Sequence, residues 1–264
     1  MRKKLMQGIL SVGDYTLFVF NVIRIAFLHR LRWELIREQM FNIGVLSLPV
    51  VAFTGFSTGM VLAAQSIFQL SDKGLASATG LMVGKAMLTE LGPVLTAFMV
   101  TGRIGAAMCA ELGSMKVTEQ IDALRSMAVH PYQYLVGPRF LAGMAMMPFL
   151  TVFSSIMGIF GGYLMAVHYY GMTPASYFDP MPIHVTTFDF FSGMVKAFVF
   201  GMFIVTISCY KGMRTTGGAA GVGSYTTNSV VICYSVILIT NFLLTLGMNS
   251  AHGYLLNTWI GRFL

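Results

Sequence analysis

Between Phe41 and Leu70 the chain runs for thirty residues without a charged side chain. A helix needs about 20 apolar residues to cross the hydrocarbon core of a bilayer. In lipid, only helices and closed barrels satisfy every backbone polar group. Further long apolar runs follow at about 78–108, 140–170, 190–210 and 227–248, interrupted inside by very few charges, among them Lys85, Glu90 and Lys196. Only 10% of the residues are charged, against about 25% in a soluble domain. The fold class read from this pattern is an all-α integral membrane protein with five transmembrane helices.

Residues 1–40 precede the five-span body at 41–264. Met1-Arg2-Lys3-Lys4 imitates the start of a signal peptide, but Gly8 and Asp14 break the apolar run and no small-residue cleavage site follows. From Gln7 to His29 the polar residues Gln7, Ser11, Asp14, Asn21 and Arg24 fall near a seven-residue spacing, leaving an apolar face of Leu10, Leu17, Phe20, Ile23 and Phe27. This is the pattern of an N-terminal interfacial (elbow) helix, since the uncharged part, Tyr15 to Ile23, is too short to span. A tilted span with Arg24 snorkelling is the alternative. Arg30, Arg32, Glu34, Arg37 and Glu38 then form a charged collar.

The formal charge of +7 is scattered between apolar blocks and is not gathered with aromatics, so no nucleic-acid face is expected. It reports orientation instead. With a cytoplasmic N-terminus and five spans, thirteen of the seventeen Lys and Arg residues fall on the cytoplasmic side, as the positive-inside rule requires. The C-terminus is then periplasmic, and the loop from Arg103 to Arg139 is cytoplasmic. Cys109, Cys209 and Cys233 show no paired spacing and no partner histidines, which suits packing residues and neither a disulfide framework nor a metal site.

Several motifs invite a chemical reading. Gly55-Phe-Ser57-Thr-Gly59 fits the nucleophile elbow of a hydrolase, but that needs a strand-turn-helix setting. As a small-residue pair it lets a second helix backbone approach closely, and Gly158 and Gly162 repeat the spacing. Gly80 to Lys85 resembles a phosphate loop one residue too short and without its Ser or Thr, and the glycines from Gly217 to Gly223 do not follow a strand. No nucleotide cofactor and no catalytic constellation is therefore expected in this chain.

Glu90 lies near mid-depth of the second span, where an unpaired carboxylate costs roughly 2.5–3.5 kcal/mol or more. It must be neutral, paired, or facing a wet cavity. Lys85, five residues away, projects from another face of the helix, and Lys196 in the fourth span could approach across helices. A neutral Glu90 in a packing hydrogen bond, or a Glu90 that carries protons in a secondary transporter, are the alternatives. Pro93 removes a backbone donor, freeing a carbonyl and bending the helix beside the acid.

Between Met115 and Met127 the apolar residues Val117, Ile121 and Leu124 recur with helical spacing and continue to Ala128, while Lys116, Glu119, Gln120, Asp122 and Arg125 occupy the other faces. The expectation is a helix of about eleven residues, too short to stand alone in water. Its acids suit a protein groove better than anionic headgroups.

Together, Glu90-Leu-Gly-Pro93, Gly102-Arg103-Ile-Gly105, Ala110-Glu111-Leu-Gly113, Thr118-Glu119-Gln120-Ile-Asp-Ala-Leu, Met127-Ala-Val and Pro138-Arg139 resemble the MlaE/YrbE permease family, with the likeness extending from Asn42 through Gly223. The resemblance implies the permease subunit of an ABC transporter in the bacterial inner membrane. It implies a homodimer that passes phospholipid to a periplasmic MCE-domain partner. ATP and Mg would be bound by a separate cytoplasmic ABC ATPase subunit, against which the coupling segment 111–131 docks through Glu111, Lys116, Glu119, Gln120, Asp122 and Arg125. Glu90, Pro93 and Lys196 would belong to the substrate cavity, and Gly55, Gly59, Gly158 and Gly162 to helix packing. Where family members often carry Asp-Phe in the last span, this chain has Asn241-Phe242, one charge fewer.

Overall fold

A computed structural model describes residues 2–28, 32–71 and 75–260; Arg30, the loop expected at Asp72-Lys73 and the tail residue Arg262 lie outside the described residues. Among the described residues, five helical stretches are long and apolar enough to cross a membrane: Trp33–Ser71, Thr79–Val117, Tyr132–Tyr169, Thr187–Met213 and Gly218–Ala251. The chain is an all-α, multi-pass membrane protein.

The helices outrun the apolar sequence that marks them. Arg139, taken above as the end of a loop, lies inside the third span, 4% exposed, with Nη2 at 2.7 Å from Glu111 Oε1. The bond from Glu111 lets a cation sit in that helix. The collar residues Glu34, Arg37 and Glu38 likewise ride on a helix, Trp33–Ile43, that feeds the first span.

The chain forms two compact units. The first comprises Met1–Pro49, Phe98–Phe149 and Phe198–Cys233. Its N-terminal helix, Arg2–Leu28, turns Phe18, Val22, Ile25 and Ala26 inward. Tyr15 Oη shares a 2.7 Å hydrogen bond with Thr206, and Arg214 reaches Asp14 at 3.2 Å. Leu10, Leu17 and Phe20, read above as the apolar face, point outward. The helix thus has two apolar faces, one on the protein and one free for lipid. Small residues set the spacing within this unit: Gly212 lies against the backbone of Cys109, and Gly201 against that of Gly143. Cys109, Cys209 and Cys233 are buried free thiols.

The second unit comprises Val50–Ala97, Leu150–Ala197 and Tyr234–Leu264. The Gly55 and Gly59 positions on the helix Leu48–Ser71 rest on Ser154 and Gly158 of the helix Gly137–Leu164, backbone to backbone. Gly162 continues that contact to the Tyr177 hydroxyl, which donates to the Ile159 carbonyl at 3.0 Å. The run Gly55 to Gly59 is mid-helix with no strand before it, which removes the setting a nucleophile at Ser57 would need.

Candidate functional site

The second span does not run as one α-helix. It loosens into a π-turn over Met87–Leu91, where Glu90 sits, and again over Thr101–Gly105. Such turns insert an extra residue and concentrate at functional sites. Pro93 follows within the same unit and has no N–H to offer the carbonyl four residues back, that of Thr89. Lys196 takes that acceptor, its Nζ donating to Thr89 O at 3.0 Å. The fourth-span helix, Thr187–Met213, can come this close because Gly193 lies on the Leu88 carbonyl, where a side chain would collide.

Lys196 then completes an ion pair, Nζ to Glu90 Oε1 at 2.6 Å. The two partners differ in setting: the lysine side chain is 1% exposed and the glutamate 36%. Thr245, from the last span, accepts from Lys196 at 2.8 Å and lies 3.0 Å from Glu90 Oε1. Asn241, one turn earlier on the same helix, donates its amide to Glu90 Oε2 at 3.0 Å. A carboxylate at position 241 would set two acids against one lysine. The asparagine instead gives Glu90 a donor and leaves the group electrically balanced.

Glu90 and Lys196 line a cavity of about 250 Å³ with Lys85, Asp189, Thr245 and Asn249 among its other walls. Lys85 turns away from Glu90 and pairs with Asp189 at 3.6 Å. Asp189 also accepts from the backbone N–H and hydroxyl of Thr186, at 2.9 and 3.0 Å, while Thr186 accepts from Asp189 N at 3.4 Å. That reciprocal pair caps the fourth-span helix. The cavity therefore carries two ammonium groups and two carboxylates, paired Lys196 with Glu90 and Lys85 with Asp189.

Comparison with known proteins decides what this architecture belongs to. The family model "Permease MlaE" matches residues 36–246. This chain belongs to the MlaE permease family. It is 43% identical over 235 residues to a probable ABC transporter permease protein of Rickettsia conorii, covering 89% of this chain and 91% of that one. It is 36% identical over 217 residues to the intermembrane phospholipid transport system permease protein MlaE of Haemophilus influenzae, covering 82% and 83%. A chloroplastic protein of Arabidopsis thaliana, trigalactosyldiacylglycerol 1, is 36% identical over 216 residues, 82% of this chain and 62% of its own. As a member of the MlaE family the chain is an ABC transporter permease, a transporter component.

The coupling residues expected in such a permease fall in the first unit, and their local structure differs from the single helix expected between Met115 and Met127. The helix Ala106–Val117 stops at Thr118, and Glu119 takes a left-handed conformation, φ 60°. A seven-residue helix, Gln120–Ser126, follows. Of the apolar stripe, Ile121 is buried, Val117 and Leu124 are half-buried, and Ala128 is exposed. Lys116 bridges the break to Asp122 at 2.7 Å, and Arg125 joins the same carboxylate at 3.3 Å. The hydrogen bond from Lys116 holds the Asp122 carboxyl below its ordinary range. Glu111 is occupied by Arg139. Glu119 and Gln120 remain exposed at the corner.

Proposed function

We propose that this permease moves phospholipid between the bacterial inner membrane and a periplasmic MCE-domain partner, as a homodimer powered by a separate cytoplasmic ATPase that binds ATP and Mg. The observation that carries the reading is the corner at Thr118–Ser126: a short charged helix on a left-handed turn, joined directly to the membrane helix that bears Glu90. Seven residues form no stable helix alone, and its polar outward residues match a protein groove.

Other features support the finer points. The relative in Haemophilus influenzae is named for intermembrane phospholipid transport. The last span has 11% of its most apolar window buried within the chain, and Leu238, Ile239, Phe242, Leu243 and Leu246 stand exposed on it, a surface that a second copy or lipid must cover. Leaving out Arg139 inside the third span, twelve of seventeen cations fall on the cytoplasmic side if the N-terminus does, which supports a corner facing the ATPase. A proton-coupled mechanism would use Glu90 as the carrier, but that carboxylate is already bonded to a buried ammonium.

Glu119 gives the cleanest test, because Asp122 has partners inside the chain and Glu119 has no ion pair among the described residues. Reversing it, Glu119→Lys, is expected to leave the permease folded and to lower ATPase co-purification at least tenfold, the size expected when a complementary interface charge becomes a repulsive one. Unchanged co-purification contradicts the coupling role.

A further inference from the structure

Three neighbouring cavities in the first unit meet at His130, which lines all of them. The largest, about 450 Å³, has Arg32 and Tyr134 in its wall; the second, about 280 Å³, has Arg24 and Tyr132; the third, about 320 Å³, has Arg125. The three guanidinium groups come from the N-terminal helix, from the residue that precedes the Trp33–Ile43 helix, and from the Gln120–Ser126 helix. No carboxylate lines any of these cavities among the described residues. Arg125 is joined to Asp122, but Arg24 and Arg32 have no ion-pair partner among the described residues.

Two arginines that line neighbouring cavities and lack a counter-charge lower their energy by taking an anion from outside. The setting says which kind. Leu28, one turn on from Arg24, is 71% exposed, and Trp33, next to Arg32, is 68% exposed. Leu28 stands just ahead of the first membrane span and Trp33 is its first residue, the level at which tryptophan and apolar side chains face the headgroup boundary. We propose that these cavities hold the phosphate head of an anionic phospholipid, clasped by Arg24 and Arg32. In this arrangement the arginine charges take the phosphate oxygens, His130 and Tyr134 offer further hydrogen bonds, and the acyl chains lie along Leu28 and Trp33. A partner's carboxylate would satisfy the same arginines, but it would have to lie beside two apolar side chains at lipid level. The bound lipid ties the N-terminal helix to the segment carrying the coupling corner. The site is separate from the Glu90 cavity and does not depend on what that cavity transports.

Native mass spectrometry on the full chain, released from nanodiscs of phosphatidylglycerol or of phosphatidylcholine, tests this. The intact chain is expected to retain one phosphatidylglycerol selectively. Arg24→Gln with Arg32→Gln is expected to weaken that retention about fivefold for each arginine, the effect of one cation near an anionic surface. Arg24→Lys with Arg32→Lys keeps the charge; it is expected to stay within about threefold of the parent, and it serves if the neutral pair misfolds. Equal retention of phosphatidylcholine, or of phosphatidylglycerol by the neutral pair, overturns the proposal. So does loss of phosphatidylglycerol from the lysine pair to the level of phosphatidylcholine. Displacement of the lipid by millimolar inorganic phosphate would assign the site to a soluble anion and overturn the lipid reading. Loss of the ATPase from the neutral pair with lipid retention intact would assign the arginines to a protein partner and overturn it equally.

Discussion

Glu90→Leu is expected to destabilise the permease by about 3–5 kcal/mol, the range for breaking a buried ion pair from one side, and Lys196→Met by about half as much. The order follows from burial and not from which residue carries the chemistry. Removing Glu90 strands an ammonium that is 1% exposed and keeps only the Thr89 carbonyl and the Thr245 hydroxyl as acceptors. Removing Lys196 leaves a carboxylate that is 36% exposed to the cavity and still holds Asn241 as a donor, with Thr245 beside it. Unfolding of the purified variants in detergent by SDS titration measures both. Equal losses, or a larger loss for Lys196→Met, would mean that the exposed face of Glu90 is not wet.

The second large effect is steric. Adding a single methyl at Gly59 drives it into the carbonyl of Gly158, and neither atom belongs to a side chain that can rotate away. Gly59→Ala is expected to cost about 3 kcal/mol, the upper end of overpacking in a close-packed interior, because the helices Leu48–Ser71 and Gly137–Leu164 must part to admit it. Gly13 is the control: it lies in a helix, nothing comes within 4 Å of the added carbon, and Gly13→Ala is expected to be neutral or to stabilise by up to about 1 kcal/mol. The same SDS titration decides. A Gly59→Ala protein as stable as Gly13→Ala would mean that this glycine contact does not hold the two helices.

Much of this could be read from the sequence because the bilayer leaves few choices. Long uncharged runs can only be spans, and two lone charges inside spans, Glu90 and Lys196, had strong reason to find each other. Pro93 promised a freed carbonyl, and the Thr89 carbonyl is the one Lys196 uses. Other features left no such mark. Asn241 stood out only through the family resemblance and Thr245 not at all; four residues apart, they share a helix face, but their spacing does not name the acid that face meets. The π-turns arise from helix packing, and nothing local in Met87–Leu91 announces one. The break at Thr118–Glu119 was hidden by an apolar stripe that continues in phase across it, since periodicity records which residues are apolar and not where the backbone turns. Arg139 looked like a boundary because a lone arginine usually is one; its partner Glu111 lies twenty-eight residues earlier.

The claim beneath the rest is that this permease moves lipid with energy supplied by another chain. Vesicles containing the purified permease and a fluorescent phospholipid measure it directly. Lipid exit is expected only when the ATPase and ATP are both present, with a soluble acceptor outside, and it should be indifferent to an imposed pH gradient. Exit driven by the gradient in vesicles that hold no ATPase would contradict the account and give Glu90 the role of proton carrier.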